Sequence, residues 1–135
     1  MNLVKKFLLA LFAIFLAVII TTYVALEISD VAIATTHAPS GEHRTTHIWY
    51  IRADANVILE AGNPQNPWVQ DLRAGSTLHL EIDGLQHLYT FEFETESHER
   101  IRSEMRQKYG WRDNWIGLLF DVSQSQRIVA HKIDP

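Results

Sequence analysis

The segment Thr77-Leu78-His79-Leu80-Glu81-Ile82-Asp83-Gly84-Leu85-Gln86-His87-Leu88-Tyr89-Thr90-Phe91-Glu92-Phe93-Glu94 alternates apolar and polar side chains on either side of an Asp-Gly pair. Period-two alternation sets one face of a strand on a core and the other in water, and Asp-Gly suits a tight turn. A half-buried antiparallel hairpin is therefore expected, with strands over 77–83 and 89–94. A lone hairpin is marginal in water, so the rest of the chain must supply partners.

Upstream, Thr46 to Ile51 and Asn56 to Ala61 are rich in β-branched and aromatic residues, and Ala53-Asp54-Ala55 between them suits a hairpin connection. Asn66 is placed to cap a short helix starting at Pro67 and ending at Gly75, with Trp68 and Leu72 on its buried face. Downstream, the period changes: Ile101, Met105 and Tyr109 fall four apart among charged residues, and Gly110 follows. That pattern predicts one amphipathic helix over 97–109. Ile116 to Val122 and Arg127 to Ile133 are two more strand candidates, joined by Ser123-Gln124-Ser125-Gln126. The expected fold class is mainly β: a small antiparallel six-stranded barrel with two helices over its ends, which leaves no exposed strand edge.

From Phe7 to Leu26 no residue is charged, and Leu, Ile, Phe, Ala and Val dominate. At 1.5 Å per residue such a helix spans a hydrocarbon core of about 30 Å. The rival reading is a cleaved signal peptide, with Lys5-Lys6 as its basic start and Ala32-Ile33-Ala34 as a small-x-small cleavage pattern. The apolar run exceeds the usual signal core of about 7–15 residues, which favours a retained single-pass anchor. Lys5 and Lys6 precede the run and the next cation is Arg44, so the positive-inside rule sets the N-terminus in the cytoplasm and the remainder outside. The expected organisation is an anchor over 1–28, a linker over 29–43 and a barrel domain over 44–135.

Composition excludes several classes. The 135 residues contain no cysteine, which removes disulfide frameworks, thiolate metal sites and cysteine nucleophiles. A net charge of −4 without a basic run offers no footprint for a phosphate backbone, so no nucleic-acid partner is expected. GxSxG, HExxH, GxxxxGK[ST] and GxGxxG are all absent. The seven histidines show no ligand spacing, and no metal site is expected, although His79 and His87 are candidates to face one another across the hairpin. Glu92 and Glu94 share a strand face that solvation explains.

Three clusters carry potential chemistry. Arg44-Thr45-Thr46 sets a guanidinium and two hydroxyls before a strand, where they suit either a phosphate or a polar strand end. Pro67-Trp68-Val69-Gln70-Asp71-Leu72-Arg73 opens a helix, and helix N-termini attract anions. Tyr109-Gly110-Trp111-Arg112-Asp113-Asn114-Trp115 holds two tryptophans beside an Arg-Asp pair: a core corner, an interface, or a surface on which a flat ring stacks.

Together these clusters resemble the deazaflavin-dependent nitroreductase and quinone reductase family, which has the split β-barrel fold of pyridoxamine-phosphate oxidases. Arg44-Thr45-Thr46-His47-Ile48-Trp49-Tyr50-Ile51-Arg52 is similar to the family's RTT-x-x-WY strand, 67–73 to its P-W-x-x-x-L helix, and 108–121 to a stretch of a compact branch. The resemblance implies a membrane-anchored oxidoreductase that passes hydride from a deazaflavin coenzyme or flavin mononucleotide to a quinone- or nitro-type acceptor, often across a homodimer interface. It further implies that Arg44, Thr45 and Thr46 hold the cofactor phosphate, that Trp68, Val69 and Trp111 line its ring, and that Tyr50 or His47 donates a proton. The cofactor would carry the chemistry and the protein its orientation. The alternative is a non-catalytic binding or interaction module on the same barrel at the membrane surface.

Overall fold

The computed structural model describes residues 2–28 and 30–133. Ser29, where the expected linker begins, and residues 134–135 at the end of the expected domain lie outside the described residues, as does Met1 of the expected anchor.

The apolar run forms one helix, α1 (Leu3–Glu27), capped by the Asn2 side chain, which accepts from the Lys5 N–H at 3.0 Å. It is long and apolar enough to cross a membrane. Six strands follow: β1 (Val31–His37), β2 (His43–Ala53), β3 (Asn56–Ala61), β4 (Leu78–Ile82), β5 (Leu85–Glu94) and β6 (Gln126–Lys132). They close into an antiparallel barrel in the order β1-β2-β3-β6-β5-β4, with β4 returning to β1. Three helices complete the domain: α2 (Pro67–Arg73), α3 (His98–Tyr109) and α4 (Trp111–Leu119).

The β4–β5 hairpin turns at Asp83 and Gly84, both at positive φ (54° and 76°), the mirror-image turn that matches strand twist. Its register pairs Leu80 with His87 and His79 with Leu88. Paired residues share a face, so His79 and His87, candidates to face one another across this hairpin, lie on opposite faces.

Two elements depart from expectation. Residues 31–37, read as linker, form β1, whose Ala32, Ala34 and Thr36 are fully buried inside the barrel. Small inward residues leave little hydrophobic signal, yet they fit a strand wedged between β2 and β4. Residues 116–122, read as a strand, instead begin as the second half of α4: Asp113 and Ile116 are buried one turn apart while Leu118 and Phe120 face outward. Periodicity over so short an apolar run does not separate strand from helix. The strand count of six stands because these two departures offset one another, and the domain carries three helices where two were expected.

The barrel core gathers Ile48, Tyr50, Leu59, Leu78, Leu80 and Ile128, and α2 plugs one end with Trp68, Val69 and Leu72. A second core lies outside the barrel, where Ile101, Met105 and Tyr109 of α3 meet Trp49, Ile58, Ile116 and Ala25 of α1. The end of α1 is thus packed on the domain. Gly110 joins α3 to α4 at φ 55° and ψ −120°, a conformation open only to glycine, which sets the corner between the two helices.

Candidate functional site

The residues expected to hold a cofactor fall along β2, and alternation divides them. Ile48 and Tyr50 point into the barrel and Trp49 and Ile51 out against α3, so Arg44 and Thr46 belong to the inward row and Thr45 and His47 to the outward one. Arg44 lies at the end of the barrel plugged by α2. Its Nε donates to Asp71 Oδ2 at 2.8 Å, and the Thr36 hydroxyl donates to the same oxygen at 2.8 Å. Burial alone would raise the Asp71 carboxyl, but hydrogen bonds from Arg44 and Thr36 and the Arg44 charge hold it below the usual carboxylate value. The Arg44 side chain remains 37% exposed. Thr45 is exposed and Thr46 half-buried beside it.

Trp68 and Val69, expected to line a ring, are buried in the barrel core with 4% and 0% exposure. They lie three and two residues N-terminal of Asp71 on α2 and set where that helix, and hence Asp71, sits. Asp71 and Thr36 were not singled out from sequence. The available signal was an acid within the buried stripe Trp68, Val69 and Leu72, which requires a partner.

Tyr50 and His47 occupy a different place. His47 Nδ1 lies 2.6 Å from Glu27 Oε2, tying β2 to the last turn of α1. Tyr50, only 3% exposed and part of the barrel core, borders an open cleft of about 510 Å³ with Asp30, Arg52, Glu104 and Lys108. The Lys108 ammonium lies 3.9 Å from the Tyr50 ring centre and donates to the Tyr50 carbonyl. Burial raises the Tyr50 phenol above its ordinary value, against the opposing charge of Arg52, so the phenol stays protonated and able to donate. Burial also lowers the Lys108 amine, helped by Arg52 and Arg112 and opposed by Asp30 and Asp83. Behind Tyr50, the Tyr109 hydroxyl accepts the Tyr50 N–H at 3.0 Å and donates to the Asp30 carbonyl at 2.6 Å, while its ring stacks on Trp49 at 4.1 Å. Burial pushes the Tyr109 phenol far up.

Trp111, at the start of α4, is 56% exposed and stands near the end of α1 through its neighbour Arg112, which donates to the Ile28 carbonyl at 2.6 Å. The structure therefore places Arg44 and Thr46 on the inward row at the α2 end with Thr45 on the opposite face, and Tyr50 with Lys108 at the end nearest α1. It does not bring Trp68, Val69 or Trp111 to either open surface beside them. Among the described residues no group of three His, Asp or Glu is placed to hold a metal.

A barrel of this order, plugged by a short helix and flanked by α3, has counterparts among solved structures. The fold is the pyridoxamine-phosphate-oxidase-like split barrel. A structure described as an F420 reductase aligns with a TM-score of 0.57 at 9% identity, over 83% of this chain and 93% of its own. A putative pyridoxamine 5′-phosphate oxidase from Listeria innocua gives 0.55 at 14% identity, over 82% and 89%. A heme storage protein from Vibrio cholerae gives 0.56 at 7% identity, over 82% and 87%. No family model and no curated protein matches the sequence. At these identities the likeness is one of architecture.

A flavin-type cofactor fits this split barrel in one respect and not in another. The partly exposed Arg44, held in place by Asp71, suits a phosphate. The residues expected around the ring are closed inside the barrel or stand on α4, so a ring would need a second surface, such as another copy of the chain.

Proposed function

We propose that the chain is a membrane-anchored oxidoreductase that uses a deazaflavin coenzyme or flavin mononucleotide and passes hydride to a quinone- or nitro-type acceptor. The shared barrel supports the reaction class. The observation that carries the reading to particular residues is Arg44, clamped through Nε by buried Asp71 while its side chain stays partly exposed. An arginine oriented in advance loses less freedom on gripping a phosphate, and Thr46 adds a hydroxyl on the same row. The bound cofactor would supply the hydride, and the chain its position. Tyr50, kept protonated by burial at the edge of the cleft, is the proposed proton donor to a reduced acceptor. His47, held by Glu27 on the outer face, would serve to fix β2 against α1.

Retention of the anchor is supported by β1: cleavage after Ala34 would remove half of a strand whose alanines are fully buried in the barrel. A retained anchor keeps the Tyr50 cleft close to the membrane, which favours a membrane quinone as acceptor.

The burial of Trp68 and Val69 favours a second reading, a non-catalytic binding or interaction module. Titration of the full-length chain in detergent with flavin mononucleotide and, separately, with the deazaflavin coenzyme, followed by cofactor fluorescence, separates the two. The oxidoreductase reading expects micromolar binding of one cofactor. Arg44→Ala should weaken it about tenfold or more, the worth of a charge-assisted hydrogen bond, with unchanged far-UV circular dichroism. A folded chain that binds neither cofactor, or an Arg44→Ala variant of equal affinity, would sink it.

A further inference from the structure

Helix α4 presents Trp111, Leu118 and Leu119 outward, with Trp115 half-buried against the second core at the same helical spacing, while Asp113 and Ile116 are buried on the other side. The outward stripe is uncovered: Leu118 is 80% exposed, and Phe120 just past the helix 52%. Its position relative to α1 is fixed by two hydrogen bonds. Arg112 donates to the Ile28 carbonyl beyond the end of α1, and Trp115 Nε1 donates to the Thr22 hydroxyl at 3.0 Å, six residues back within the apolar run. Helix α4 therefore runs antiparallel to α1 and advances along its uncharged segment, so Leu118, Leu119 and Phe120 lie further in that direction. Apolar side chains with tryptophan at their edge and a cation behind them are the composition of an interfacial helix.

We propose that α4 is a second membrane-contacting element, its Trp111–Phe120 stripe seated in the lipid leaflet beside α1. The occupant of this face is the bilayer, because Arg112 and Trp115 hold α4 against the last turns of the apolar helix α1 and leave Leu118, Leu119 and Phe120 exposed beside it. The proposal rests on the reading of α1 as membrane-spanning. The domain then sits on the membrane at two points, which holds the Tyr50 cleft at a fixed height.

Because the chain has no cysteine, single-cysteine labelling is clean. Full-length Leu118→Cys, Phe12→Cys and Ser40→Cys variants, each carrying an environment-sensitive fluorophore, are reconstituted in phosphatidylcholine–phosphatidylglycerol vesicles and quenched with brominated lipid. Leu118 is so exposed that its replacement leaves the fold intact, and Leu119→Cys repeats the reading. Labels at 118 and 12 should be quenched about twofold or more, and the label at 40, in the β1–β2 turn far from α1, should not. Quenching at 12 without quenching at 118 would overturn the proposal while leaving the anchor in place. An apolar but unquenched signal at 118 would mean that a second copy covers the stripe, and would overturn it too. No quenching at either 12 or 118 would remove the anchor and this inference together.

Discussion

Replacing Arg102 by methionine tests whether the packing of α3 and α4 on the barrel is organised around one buried cation. Arg102 Nη1 donates to Glu60 on β3 at 2.5 Å and Nη2 to Asp113 on α4 at 2.5 Å. All three side chains are buried, with exposures of 8%, 9% and 2%. Burial would lower the guanidinium, but its two carboxylate partners hold it above its ordinary value. In Arg102→Met the apolar stem is kept and both carboxylates lose their counter-charge in a site that excludes water. Removing one partner of a buried ion pair costs about 3–5 kcal/mol. Against a total stability of about 5–15 kcal/mol that is a large share, and it corresponds to a fall in Tm of roughly 10–25 °C. The assay is thermal and urea unfolding of the full chain in detergent, followed by near-UV circular dichroism so that α1 does not dominate the signal. Neutralising the stranded acids in Arg102→Met/Glu60→Gln/Asp113→Asn should recover at least half of the loss, which a purely steric effect of methionine would not allow. A single-variant loss below about 1 kcal/mol would refute the reasoning, because it would show that water or another cation reaches the acids at no cost.

Asp71, held below its ordinary value in the folded chain, contributes stability that is present above the unfolded carboxylate value and lost as pH falls through the folded one. Unfolding free energy should therefore decline below about pH 4 in the parent chain, whereas Asp71→Asn should start about 1.5–3 kcal/mol lower at pH 7 and lose less over that acid window. An Asp71→Asn profile parallel to the parent's would remove the carboxylate from the explanation. Tyr109→Phe strips the hydroxyl that joins the Tyr50 N–H to the Asp30 carbonyl and leaves that buried N–H without its partner, so urea unfolding should show a loss of about 1–3 kcal/mol. A loss near zero would mean that water or a shifted backbone takes its place.

The alternation of Thr77–Glu94 and the periodicity of Ile101, Met105 and Tyr109 were legible because each element has one wet face and one dry face. Strand β1 was not, since its inward residues are Ala32, Ala34 and Thr36, and a strand that buries methyl groups in a tight barrel carries almost no hydrophobic contrast. Helix α4 misled for the opposite reason: Leu118, Leu119 and Phe120 are apolar without being buried by protein, so a pattern read as core density belongs to an outward surface. The three site clusters were visible as motifs, but their division between the two ends of the barrel was not. Spacing along β2 shows that Arg44 and Tyr50 share a face; only the closed sheet shows that α2 meets one and Lys108 the other.

That division constrains the proposed chemistry. Helix α1 is docked through Ala25 and Thr22, and His47 is tied to Glu27, so the barrel does not swing freely on α1. Its Tyr50–Lys108 cleft lies at the α1 end of the barrel, and Arg44 lies at the opposite end of the pairing between β1 and β2. At about 3.3 Å per residue the six steps from Arg44 to Tyr50 span roughly 20 Å. A cofactor gripped by its phosphate at Arg44 must therefore lie along the outside of the barrel to bring its ring toward an acceptor arriving from the bilayer. The inward positions are filled and α3 covers Trp49 and Ile51 on the outer face of β2, so a second copy of the chain is the surface left to hold it. If Lys5 and Lys6 keep the N-terminus in the cytoplasm, that assembly stands on the far side of the membrane. Its reductant is then a donor of that compartment rather than a cytoplasmic nicotinamide.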